Sequence, residues 1–172
     1  MTVDDVNKLP VARATELFTA CCGSSRWVAQ MAVNRPFASR DALLAAGDAI
    51  WKSLGTADWL EAFSHHPRIG ENVAAVAQGK TARQWSADEQ ASVTRASESI
   101  RLAQQDMNAQ YERRFGYIYI VCATGKSPNE MFAIARERLA NDPDTEMKIA
   151  AEEQRKIMRL RLEKLLDHAD GP

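Results

Sequence analysis

Phe115-Gly-Tyr-Ile-Tyr-Ile-Val-Cys-Ala-Thr-Gly125 is a stretch where helical periodicity gives way to β-branched and aromatic residues between two glycines. Taken alone it reads as a buried strand. A strand needs a hydrogen-bonded neighbour, and no second segment of this character occurs in the chain. A helix or an irregular buried segment is therefore as open a reading as a strand. The fold class has to be decided by the sequence on either side.

On either side the pattern is helical. Val11, Ala14, Leu17, Phe18 and Cys21 line one helix face, and Gly23 follows where a helix stops. Ser24 and Ser25 can cap a second helix with the stripe Trp27, Val28, Met31 and Ala32, which Pro36 ends. Ser39 can cap a third helix carrying Leu43, Leu44, Ala46, Ile50, Trp51 and Leu54, closed by Gly55. Thr56 opens a short one with Trp59, Leu60 and Phe63. Ser86-Ala-Asp-Glu89 reads as a capping box, starting a helix through Val93, Ala96, Ile100, Ala103 and Met107 to about Arg113. Ser127-Pro-Asn-Glu130 is a second such box, with Pro128 at the first helical position. Asp142-Pro143 starts a last helix to about His168. The expectation is an all-α fold: one domain over residues 1–172, a helical bundle of six to eight helices.

The chain has 172 residues, 45 % of them hydrophobic, which suffices for one core. Its 22 basic and 23 acidic residues leave a net charge of −1, so no basic field is available for nucleic acid. No apolar run approaches the roughly 20 residues that cross a bilayer. The start, Met1 to Asp5, lacks the regions of a signal peptide, and His168-Ala-Asp-Gly-Pro172 is no peroxisomal tripeptide. A cytoplasmic protein is expected. Cys21, Cys22 and Cys122 are odd in number and two are adjacent, so they read as reduced buried thiols.

The helical pattern breaks from Ser64 to Trp85, with room for a short helix around Asn72 to Ala77. This stretch holds His65-His-Pro-Arg-Ile-Gly70. A residue before proline has restricted backbone freedom, so His66 would be presented rather than loose. Its imidazole can move a proton near neutral pH. On the residues alone, a surface histidine in a turn is the preferred reading. Arg68 can serve an anion or simply the fold. Glu89 is explained by its capping box, and Arg161, near Arg155, Lys156 and Arg159, by a solvated basic face. No Cys-x-x-Cys, no histidine pair at helical spacing, no phosphate loop and no Gly-x-Ser-x-Gly elbow occurs. No metal site is expected.

Several blocks in order carry more than any one alone. They are Cys22-Gly-Ser-Ser-Arg-Trp27 with Arg35-Pro-Phe37, His66-Pro-Arg-Ile-Gly70, Ser86-Ala-Asp-Glu-Gln90, Phe115-Gly116 running into Cys122-Ala-Thr-Gly125, and Arg161-Leu162. Together they resemble the 2-oxo-4-hydroxy-4-carboxy-5-ureidoimidazoline (OHCU) decarboxylase family over nearly the whole chain. The resemblance implies an all-α homodimer, without cofactor. It implies decarboxylation of OHCU to (S)-allantoin, after urate oxidation and hydroxyisourate hydrolysis. It further implies His66 and Glu89 as catalytic residues. Pro67, Ser86, Gln90, Val121, Cys122, Ala123, Thr124, Gly125 and Arg161 are then the substrate-binding residues. OHCU is the implied partner, with no nucleic acid and no membrane. Two alternatives stay open: a helical hydrolase of a ureide, with His66 a general base towards water, and a non-enzymatic helical interaction module.

Overall fold

Most of the helix starts read from the sequence are met at their caps. In the computed structural model, which describes residues 1–70, 79–89 and 98–167, Ser24 Oγ accepts the Trp27 N–H and Ser39 Oγ the Ala42 N–H. Ser127 and Glu130 form a reciprocal capping box with Pro128 in the first turn. Each such bond satisfies a donor that a helix start leaves without an internal partner.

Nine helices lie among the described residues, and no strand does. They are α1 (Val3–Lys8), α2 (Val11–Cys21), α3 (Ser25–Val33), α4 (Arg40–Ser53), α5 (Thr56–Ser64), α6 (Lys80–Glu89), α7 (Glu98–Phe115), α8 (Pro128–Arg138) and α9 (Pro143–Asp167). The all-α expectation holds. The count runs past eight because α1, with six residues, is too short for periodicity to reveal, although Thr2 and Asp5 cap it reciprocally.

Two readings are corrected. Ser86 does not cap a helix start: α6 begins at Lys80, with the Arg83 N–H bonded to the Gly79 carbonyl 3.0 Å away. Ala82, Trp85 and Ser86 are its buried residues, a three-residue stripe too narrow to stand out against polar neighbours. The helical pattern thus returns before Trp85 rather than after it. The buried side of α7 is also shifted, since Ala103 is exposed while Gln104, Met107, Asn108 and Tyr111 are buried. The suggested helix at Asn72–Ala77, and Gln90, Val93, Ala96 and His168, lie outside the described residues.

The chain groups into two compact units, residues 1–62 with 155–172 and residues 63–154. In the first, α2 packs on α3 and α3 on α4. Trp27 anchors this unit, edge-on to Phe18 at 6.1 Å, with its indole N–H donated to the Gly47 carbonyl at 3.0 Å. Gly47 permits a close approach: a Cβ there would sit 2.9 Å from Leu162 Cδ1. Asp48, one residue on, takes Arg155 and Arg159 on its two oxygens, each at 2.7 Å. Arg35 closes the N-terminal turn by donating to the carbonyls of Val6 at 3.0 Å and Leu9 at 2.7 Å.

In the second unit the Phe115–Gly125 stretch forms no strand, and only Phe115 belongs to a helix. Residues 117–123 run as irregular chain, bounded by Gly116 and Gly125 at φ of +80° and +79°. Its apolar side chains Tyr119, Val121 and Ala123 join Ile69, Met107, Tyr111, Met131 and Ala135 in one core cluster. A buried ion pair braces it. Arg138 Nη2 lies 2.6 Å from Glu146 Oε1, with the side chains 7 % and 0 % exposed. The same guanidinium donates to the Ile120 carbonyl at 2.8 Å. The Tyr111 hydroxyl donates to Glu146, and Asn141 Nδ2 donates to its other oxygen at 2.8 Å. Removing one partner leaves a buried charge uncompensated. Glu146→Leu should therefore lose about 3–5 kcal/mol in a urea melt, as broken buried pairs do. A loss below about 1 kcal/mol, the range of exposed pairs, would contradict this account.

Candidate active site

The helix α5 sets up the His66 loop. Its last turn is followed by His65 and His66, and the His66 N–H is bonded to the Phe63 carbonyl 3.0 Å away. His66 is half-buried and Pro67 buried, so the imidazole stands on an anchored backbone. Arg68 is committed to the fold. Its Nε and Nη2 meet the two Glu112 oxygens at 2.5 and 3.0 Å, a forked pair between the loop and α7. Ile69 is held likewise: its carbonyl accepts from Asn108 Nδ2 at 2.8 Å, and Asn108 accepts from Gln104 at 3.0 Å. The polar residues buried on α7 are there to satisfy this loop.

Ser86 is buried within α6, and Glu89 is the last described residue of that helix, half-buried. Ser86 is therefore not at a helix start and has no helix-start positive charge beside it, because the start lies at Lys80. Of the Val121–Gly125 stretch, Val121, Cys122 and Ala123 are buried, and Thr124 and Gly125 are exposed. The Lys126 N–H donates to the Ala123 carbonyl at 3.0 Å, closing a turn whose third residue, Gly125, has a positive φ.

Cys122 ties these elements together. Its N–H donates to Glu153 Oε2 at 2.7 Å, and its carbonyl accepts from Lys126 Nζ at 2.6 Å. Burial pushes its thiol above the ordinary range, the Lys126 charge opposes this, and the carboxylates of Glu153 and Glu89 add to it. The last effect puts Glu89 in the electrostatic neighbourhood of Cys122, two residues far apart in sequence that the resemblance assigned to one site. Periodicity missed Glu153, Lys126, Arg138 and Glu112. The one available signal was a charge on an otherwise apolar helix face, as with Glu146 beside Ala150.

Arg161 belongs to the other unit. It is 3 % exposed and donates from Nη1 to the Ala20 carbonyl at 3.3 Å, near the end of α2. Burial drives Cys21 and Cys22 beside it up to about 12, with the Arg161 charge pulling the other way. The solvated basic face is thus not its setting. Arg159, about 200° away around the helix, is the half-exposed one, and it is paired with Asp48 and with Glu163 at 3.2 Å. Among the described residues no group of three metal-ligating side chains forms. No described helix is long and apolar enough to cross a membrane.

Known proteins resemble the chain across this whole arrangement. The sequence profile for OHCU decarboxylase matches residues 7–163. A uric acid degradation bifunctional protein of Arabidopsis thaliana is 37 % identical over 145 residues, which is 84 % of this chain and 45 % of that protein. A similarly described protein of a Bacillus strain is 26 % identical over 172 residues, but only 33 % of its length is covered. This chain thus spans less than half the length of those two relatives. A 2-oxo-4-hydroxy-4-carboxy-5-ureidoimidazoline decarboxylase of Haloferax volcanii is 28 % identical over 163 residues, 94 % of each chain. A crystal structure of OHCU decarboxylase in the presence of (S)-allantoin superposes with a TM-score of 0.76 and 33 % identity, covering 88 % of this chain and 98 % of that one. A fold shared over nearly that entire solved chain, and a profile match running almost from end to end, make this chain a member of the OHCU decarboxylase family.

Proposed function

We propose that the chain catalyses the decarboxylation of OHCU to (S)-allantoin in urate breakdown, without metal or cofactor. The observation that carries this reading is the fold shared with a solved OHCU decarboxylase over 98 % of that chain, at 33 % identity. In our reading residues 1–172 act as one catalytic domain, in a cytoplasmic homodimer whose partner molecule is the small substrate alone.

Loss of CO₂ leaves an electron pair on carbon. Without a cofactor, that pair has to be delocalised in the substrate, through the C=N bond next to the departing carboxylate. The protein then has to align the breaking bond with that π system, favour the charge distribution of the transition state, and deliver a proton to one face. His66, half-buried on an anchored turn, is assigned to the proton transfer. Glu89 orients the imidazole or binds the substrate's hydroxyl or ureido group. Pro67, Ser86, Gln90 and the Val121–Gly125 stretch hold the ring and ureide. Arg161 offers a fork of donors to a carbonyl or anionic group. Too firm a hold on the carboxylate would favour the ground state, so a ring carbonyl is the better target.

His66→Ala should reduce stereospecific allantoin formation by about 10²-fold or more, the usual range for a positioned acid or base, with helical circular dichroism unchanged. Turnover near wild type would refute the assignment. A hydrolase would convert the substrate without releasing CO₂, and an interaction module would leave it unchanged, so product analysis separates the three readings. Arg161→Lys should raise KM about tenfold through the lost fork, while Arg159→Lys should leave it within about twofold. The reverse order would move the substrate contact to Arg159. Activity should also survive exhaustive chelation, and its loss there would remove the cofactor-free reading.

A further inference from the structure

Both backbone groups of Cys122, which belong to two successive peptide units, are gripped. Glu153, on α9, accepts its N–H at 2.7 Å, and Lys126, after the turn, donates to its carbonyl at 2.6 Å. Both bonds involve a charged group and are of the strong kind. Peptide units are planar and, with Arg35–Pro36 the single cis bond of the described residues, those at Cys122 are trans. In a trans unit the N–H and the preceding carbonyl point opposite ways. Fixing the Cys122 N–H therefore aims the Val121 carbonyl away from Glu153. Fixing the Cys122 carbonyl aims the Ala123 N–H away from Lys126.

We propose that Glu153 and Lys126 are positioning residues that lock the two peptide planes flanking Cys122, so that the Val121 carbonyl and the Ala123 N–H are presented as an acceptor and a donor to a ureido or ring-amide group of the ligand. This rests on the reading of Val121–Gly125 as substrate-binding. A ureide carries N–H and C=O groups side by side, the complement of such a pair. The segment has no helical or sheet ladder to fix its peptide planes, so side chains have to do it. Glu89, whose charge is felt at Cys122, lies in the same neighbourhood. Neither Glu153 nor Lys126 need touch the reacting atoms.

The test compares Glu153→Met and Lys126→Met, which remove the grip, with Glu153→Gln, which keeps an acceptor oxygen on a chain of the same length. Initial rates on freshly generated OHCU give kcat and KM, and calorimetry with (S)-allantoin gives product affinity. Each Met variant should raise KM and the allantoin Kd about tenfold with kcat within about threefold, the pattern of lost uniform binding, and Glu153→Gln should stay near wild type. A purely structural role would lower Tm without this split. The proposal is overturned if both Met variants keep KM and Kd within about twofold, if kcat falls while KM holds, or if Glu153→Gln is as impaired as Glu153→Met. Should Glu153→Met not fold, Lys126→Met carries the same comparison from the half-buried turn. An active wild type with unmoved variants overturns the positioning alone. A wild type that neither consumes OHCU nor binds (S)-allantoin overturns both it and the proposed function.

Discussion

A carboxylate with no exposed surface governs the second unit. Glu146 receives Arg138, the Tyr111 hydroxyl and Asn141, and Arg138 extends the network to the Ile120 carbonyl. Arg138 also lies over the Tyr119 ring, 4.9 Å from its centroid. Burial alone would lower the pKa of the guanidinium, yet the bond to Glu146 and the surrounding charge hold it above the ordinary value. Burial likewise keeps the Tyr111 phenol protonated well beyond its usual range. An irregular chain cannot satisfy its own backbone inside a core. This network takes the Ile120 carbonyl, and Glu153 and Lys126 take the two backbone groups of Cys122, so these groups are satisfied although the segment is not a strand.

That explains which parts of the fold were legible. Serine caps, Pro128 and helix-terminating glycines act through their nearest neighbours, so Ser24, Ser39 and Ser127 could be recognised from local sequence. The Phe115–Gly125 stretch could not be assigned, because its conformation depends on Arg138 and Glu153, which lie 18 and 31 residues from their acceptor and donor. The reading of Ser86 failed for a related reason. A serine followed by a glutamate three residues on fits a cap or a helix interior, and the buried Ala82 and Trp85 decide between them.

The candidate site shows the same division. His66 stood out as a loop histidine before proline, but only the family blocks raised it above a turn residue. Some of those blocks prove to be scaffolding. Asn7 and Phe37 exchange side-chain and backbone hydrogen bonds at 2.9 and 2.8 Å, Ser24 caps α3, and Arg68 pairs with Glu112. Of these, the Arg68 pair holds the loop that carries His66, and a short sequence motif does not distinguish that duty from contact with a substrate. Arg161 is the converse case. Its basic neighbours suggested solvent, whereas the structure buries it against the end of α2.

The irregular segment also has a consequence for the order in which the molecule assembles. Helices such as α4 draw on contacts close in sequence and can form early, whereas each brace on residues 120–122 closes a longer loop. Until α8 and the first half of α9 have docked, neither Ile120 nor Cys122 has its partner. The backbone of residues 120–122 is thus among the last parts of this unit to acquire its shape. Most of the helix in this unit can therefore form before the segment between Gly116 and Gly125 is set.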